Sequence, residues 1–136
     1  MRKLLIIISA ITSVVCRAEY TADSALAFAD AQYSRGNFSL ALKEYQRISF
    51  RGDFNDPYLN FKLGNCYLKL GSWESARNCY DQVIRQSGND SLLVQSKISK
   101  ISSLIQEESY RHALIDLFSI PDSVYLDYGD EINLLF

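Results

Sequence analysis

Two hydrophobic runs with helical spacing follow one another in the middle of the chain. Leu59, Leu63, Tyr67 and Leu70 recur at intervals of four and three, which gathers them on one face of an α-helix. After a short gap, Trp73, Ala76, Tyr80 and Val83 do the same. Asp56-Pro57 opens the first run with an acidic cap and a proline at a position whose N–H has no helical partner. Gly71 closes it, since glycine readily takes the left-handed conformation that helix ends often need. Ser72 stands where it can cap the second helix, and Ser87-Gly88-Asn89-Asp90 stops that helix. The spacing predicts a helix–turn–helix hairpin over residues 57–90.

The same hairpin is written elsewhere in the chain. Gly36-Asn37-Phe38-Ser39-Leu40-Ala41 and Tyr45 align with Gly71-Ser72-Trp73-Glu74-Ser75-Ala76 and Tyr80 at a constant offset of 35 residues, and Ile48 then matches Val83. A weaker third copy holds Tyr110, Ala113, Leu117 and Ile120, displaced by 37 residues. Its first helix keeps Ile98, Ile101 and Ile105 at helical spacing but lacks the glycine, Ser102 being the nearest small residue. Self-similarity at this period predicts an all-α stack of antiparallel helix pairs, about three units at 22–56, 57–90 and 91–120. Gly64 and Ala76 are expected where the two helices of a unit cross, with Tyr67 and Tyr80 filling the wider space beside the crossing.

Leu63-Gly64, Tyr67, Ala76 and Tyr80 together resemble the tetratricopeptide repeat family. The departures are Asn60 where tryptophan is usual, Gly88-Asn89-Asp90 where proline is usual, and Phe28-Ala29 and Gln32 in the first copy for leucine-glycine and tyrosine. The resemblance covers about residues 21–120 and implies a right-handed superhelical stack. Its packing positions would be Gly36, Ala41, Tyr45, Leu63, Gly64, Tyr67, Gly71, Ala76, Tyr80 and Ala113. It also implies a concave groove, lined by the first helix of each unit, that holds a protein or peptide segment. The groove candidates are Asp30 and Tyr33 in the first unit and Tyr58, Phe61, Lys62, Asn65 and Lys69 in the second. For Phe61, packing on the neighbouring unit is the open alternative. Asn65 sits where some relatives grip a C-terminal carboxylate, but Phe61 takes the place of the expected lysine, and Gln95 and Ser99 are not basic, which argues against such a clamp.

The ends of the chain change the picture. Met1-Arg2-Lys3 followed by an apolar run from Leu4 to Cys16 has the form of a secretory leader (1–18), too short for a span of about 20 residues. Lipidation at Cys16 and an uncleaved anchor are the alternatives to cleavage after Ala18, and the only routes to a membrane. Cleavage removes three of the 14 basic side chains and none of the 16 acidic ones, leaving a net charge of −5. An acidic domain without a basic run repels phosphate, which excludes nucleic acid as an expected partner. Residues 121–136, ending in Ile132-Asn133-Leu134-Leu135-Phe136, read as the start of a further unit, a fold-back over the third unit or a tail for a partner.

Candidate chemistry is sparse. His112 is the single histidine, and no phosphate loop, nucleophile elbow, calcium loop or metal motif accompanies it, so neither cofactor nor metal is expected. Cys66 and Cys79 are expected as small apolar fillers of a helix interface, a disulfide being the alternative. Asn37-Phe38-Ser39 and Asn89-Asp90-Ser91 fit the glycosylation pattern but read as turn residues. The resulting expectation is a non-catalytic exported scaffold of the cell envelope. The alternative is a repeat portion of a larger envelope enzyme or membrane-anchored subunit.

Overall fold

The computed structural model describes residues 21–52, 56–88, 90–121, 128–130 and 132–135; the segment expected as a leader, with its expected cleavage site, and Asn89 lie outside them. Among the described residues, six helices of nine residues or more run in the order the apolar spacing dictates: α1 (Ala22–Ser34), α2 (Phe38–Phe50), α3 (Pro57–Lys69), α4 (Trp73–Gln86), α5 (Asp90–Gln106) and α6 (Tyr110–Phe118). They pair as hairpins α1/α2, α3/α4 and α5/α6. The hairpins stack through α2 on α3 and α4 on α5, with α3 also touching α5. The architecture is an all-α solenoid of helix pairs.

The turn inside each pair is one motif repeated three times. Gly36 N–H donates to the Tyr33 carbonyl and Asn37 N–H to that of Gln32; Gly71 to Leu68 and Ser72 to Tyr67, then Glu108 to Ile105 and Ser109 to Leu104, repeat the pattern. Gly36 and Gly71 take φ of 81° and 74°. Glu108 adopts 63° at the matching place with a full side chain, so the third unit keeps the turn without its glycine.

Aligning the units on these turns puts Ala29, Gly64 and Ile101 at one position and Tyr45, Tyr80 and Leu117 at another. Ala41, Ala76 and Ala113 share a third and are all buried. In the second unit the Tyr80 ring lies directly on Gly64: a Cβ there would stand 2.6 Å from Tyr80 Cε1. Tyr80 therefore occupies the crossing rather than the space beside it. In the third unit the bulk changes sides, with buried Ile101 meeting Leu117 in one cluster. Ile101, not Ser102, is the counterpart of Gly64.

Three further expectations change. Tyr67 is half-buried, and its hydroxyl accepts a 2.8 Å hydrogen bond from Gln46 Nε2 of α2, so it ties α3 to the preceding unit. Leu70 caps α3 and is 41% exposed, because the turning chain carries it off the apolar face. Ser72 makes no side-chain cap; its ψ of 70° departs from the extended backbone that aims a capping oxygen. Asp56, with ψ of 128°, does cap α3, accepting from Tyr58 N–H at 2.9 Å.

One apolar cluster joins α1, α2 and α3, from Ala25 and Ala29 through Tyr45 and Ile48 to Leu59, Leu63 and Cys66. The third unit has its own clusters, one around Ile101, Leu104, Ala113 and Ile120 and one around Val94, Ile98 and Ile132. Tyr128, Ile132 and Leu135 pack against the helices of the third unit. Among the described residues no helix is long and apolar enough to cross a membrane.

Candidate groove on the first helices

The exposed sides of α1 and α3 are joined by a polar chain. Tyr45 on α2 donates its hydroxyl hydrogen to Asp30 Oδ1 on α1 at 2.5 Å, and the Lys62 ammonium on α3 sits 3.1 Å from the same oxygen. Lys62 Nζ also lies 5.0 Å from the centre of the Tyr58 ring, a cation–π distance. Burial opposes the Lys62 charge, but hydrogen bonds with Tyr58 and Asp30 and the Asp30 charge outweigh it, so its pKa is raised. Burial and then the Asp30 contact push the Tyr45 phenol well above its ordinary value, keeping it a neutral donor.

The second unit repeats the device 35 residues on. Tyr80 on α4 donates to Asn65 Oδ1 at 2.9 Å, as Tyr45 does to Asp30. Burial is the main cause of the raised Tyr80 pKa, and a hydrogen bond with Ser99 of α5 opposes it. Phe61 is half-buried with its ring centre 6.1 Å from that of Tyr80, so it packs on its own unit's second helix. Tyr33 packs edge-on against Phe38 at 5.2 Å. Tyr58 and Lys69 are exposed.

Asp30, Tyr58 and Lys62 are thus brought together, Asn65 and Phe61 form a second group around Tyr80, and Tyr33 lies close enough to feel both Lys62 and Tyr80. The roles of the Tyr45 and Tyr80 hydroxyls escaped the sequence reading, which took both residues as packing. The signal was present: each tyrosine follows a polar first-helix residue by 15 positions. Past Tyr58 a cleft of about 350 Å³ opens between the starts of α3 and α5, walled by Asp56, Tyr58, Ser91 and Gln95. Its lining mixes the apolar side chains of Pro57 and Leu92 with hydroxyl and amide groups and one carboxylate already used as a cap.

Nothing in the arrangement resembles a reacting constellation. Both described cysteines are free thiols; burial pushes Cys66 up to about 12 and Cys79 up to about 11, which favours their protonated form. His112 is exposed at a charged crevice in which Lys100 bridges Asp81 of α4 and Asp116 of α6, at 3.0 and 3.1 Å. Among the described residues no group of three or more potential ligands could hold a metal ion.

No curated protein matches the chain. The family model for the tetratricopeptide repeat matches residues 57–90, the α3/α4 hairpin in which Tyr80 covers Gly64. That hairpin is a tetratricopeptide repeat, and units built on the same turn flank it on both sides.

Proposed function

We propose that the chain is a non-catalytic scaffold, exported to the cell envelope, that binds an extended protein segment along the first-helix face of its repeats. Repeats of this family generally bind proteins or peptides. The observation that carries the groove is the row Asp30–Lys62–Tyr58, which runs from one unit to the next and ends in an exposed aromatic beside a cleft of mixed apolar and polar lining. Lys62 and Asp30 are held by each other, and Asn65 by Tyr80, so these groups are pre-ordered before any partner arrives. Tyr58, 42% exposed, supplies the apolar area, and the cleft can meet a peptide backbone with hydroxyl and amide groups. Export rests on the leader at 1–18.

Peptides selected from a random library against the purified protein test the groove. Tyr58→Ala should raise their Kd about tenfold, roughly 1.4 kcal/mol, whereas Leu40→Ala on α2 should change it less than about twofold. Selected peptides indifferent to Tyr58→Ala would refute the groove. An intact mass beginning at Glu19, or at a lipid-bearing Cys16, supports export, and an unmodified chain from Met1 recovered in the soluble cytosolic fraction counts against it.

A further inference from the structure

The cleft between the starts of α3 and α5 sets one open carboxylate beside an aromatic ring, and none of the described residues that wall it is basic. Asp56 uses Oδ1 to cap α3, accepting from Tyr58 N–H at 2.9 Å; among the described residues nothing else holds its Oδ2. Gln95 Nε2 donates to Ser91 Oγ at 3.4 Å, which leaves the Gln95 carbonyl oxygen as a second acceptor on the wall. The Tyr58 ring already accepts a cation, Lys62 Nζ at 5.0 Å from its centre. Lys62 lies outside the cleft wall, and Asp30 balances its charge from 3.1 Å, so it does not repel a second cation strongly. Each helix start contributes a partial positive charge of about half a unit. Asp56 stands at one start and Asp90 at the other, so the formal charges outweigh the dipoles.

We propose that this cleft receives an arginine side chain of the bound segment, its guanidinium paired with Asp56 Oδ2 and stacked on the Tyr58 ring. The inference rests on the groove reading above and names the residue that the groove selects. A guanidinium is planar and has five N–H donors, so it can meet the carboxylate and the Gln95 carbonyl while laying its face on the ring. A lysine ammonium is compact and strongly hydrated, and offers no plane to stack. Pro57 and Leu92 give apolar wall for the methylene stem. Other occupants fare worse. An acidic side chain meets Asp56 and finds no basic group on the wall. An apolar one strips water from Oδ2 without replacing it, leaving a carboxylate oxygen unpaired. Bonds to a charged acceptor are roughly twice as strong as neutral ones, so a charged donor is favoured over a neutral amide.

Random peptide libraries with one fixed central residue, made in arginine, lysine, citrulline and glutamate versions, test this on the full chain. The arginine library should yield the strongest binders. In the best of them, citrulline in place of the fixed arginine keeps the shape, removes the charge and should raise Kd about tenfold. Asp56→Asn keeps a good helix cap, because asparagine caps as well as aspartate. It should raise the Kd of the arginine peptide about tenfold and that of its citrulline twin less than about twofold. Sodium chloride at about 0.5 M should weaken the arginine peptide on wild type and hardly at all on Asp56→Asn. Equal losses of both peptides on Asp56→Asn would make Asp56 a helix cap alone and overturn the pocket. So would a citrulline or glutamate library that matches the arginine library, or an arginine library without binders. When such a result accompanies a tenfold loss on Tyr58→Ala, the groove stands without its arginine; indifference to Tyr58→Ala removes the groove as well.

Discussion

At Gly64 one missing methyl group decides how α3 meets α4. Glycine inside a helix costs about 1 kcal/mol relative to alanine, so propensity alone favours replacing it. The Tyr80 ring forbids this, with Cε1 2.6 Å, Cδ1 3.0 Å and Cζ 3.1 Å from where a Cβ would sit. The ring has nowhere to turn, being fully buried and held through its hydroxyl by Asn65. Gly64→Ala should therefore destabilise by about 1–3 kcal/mol in urea unfolding. In a Tyr80→Leu background, which copies the leucine at that place in the third unit, the same substitution should cost little or stabilise. Equal costs in both backgrounds would show that the ring does not set the requirement. Sequence reading placed Gly64 and Ala76 at the crossing because small residues are legible as such. It missed which side chain fills the gap, since that depends on helix rotation about an axis, which spacing leaves undetermined.

At the scale of elements, the hairpin turn persists where its usual residue does not. Glu108 takes the left-handed conformation of Gly36 and Gly71, at φ of 63°, and closes the same carbonyl bonds. For a residue with a Cβ that conformation costs about 1–2 kcal/mol, offset in a glycine by its greater freedom in the unfolded chain. Glu108→Gly should raise stability by about 0.5–1 kcal/mol, read as an upward shift of the urea midpoint at unchanged slope. A lower midpoint would mean that the Glu108 side chain makes a stabilising contact outweighing its strain. Helix existence was legible throughout because apolar spacing persists in all three copies. Turn identity in the third was not, because the glycine that advertises it has been replaced. Caps divide the same way: Asp56, followed by proline and an extended backbone, acts as its residue type suggests, whereas Ser72 fails because the tight Gly71 turn fixes its ψ at 70°.

Across the whole molecule both joints between units combine packing with ion pairing, but the second carries two ion pairs against the single Asp30–Lys62 pair of the first. The first two share one apolar cluster that passes through α1, α2 and α3. Between the second and third, Asp81–Lys100 bridges α4 and α5 and Arg77–Glu107 joins α4 to the turn after α5, and the clusters of the third unit lie on its own helices and on Tyr128, Ile132 and Leu135. Partly exposed pairs of this sort contribute about 0–1 kcal/mol each and are screened at high salt, whereas apolar burial is not. A linear array whose units touch only neighbours opens at its weakest joint. The third unit should therefore open as a block of α5, α6 and the segment around Ile132, more readily than the first two. Native-state hydrogen exchange in 0.05 M and about 1 M sodium chloride resolves this. Amides of α5 and α6 should exchange several-fold faster at high salt, those of α1 to α3 should change little, and Lys100→Met should reproduce the salt effect at low ionic strength by removing the lysine that touches both Asp81 and Asp116. Salt-independent exchange, or one common opening rate for all six helices, would mean that the buried Tyr80–Ser99 contact and the apolar packing of α4 on α5, rather than the charged bridges, hold the third unit in place.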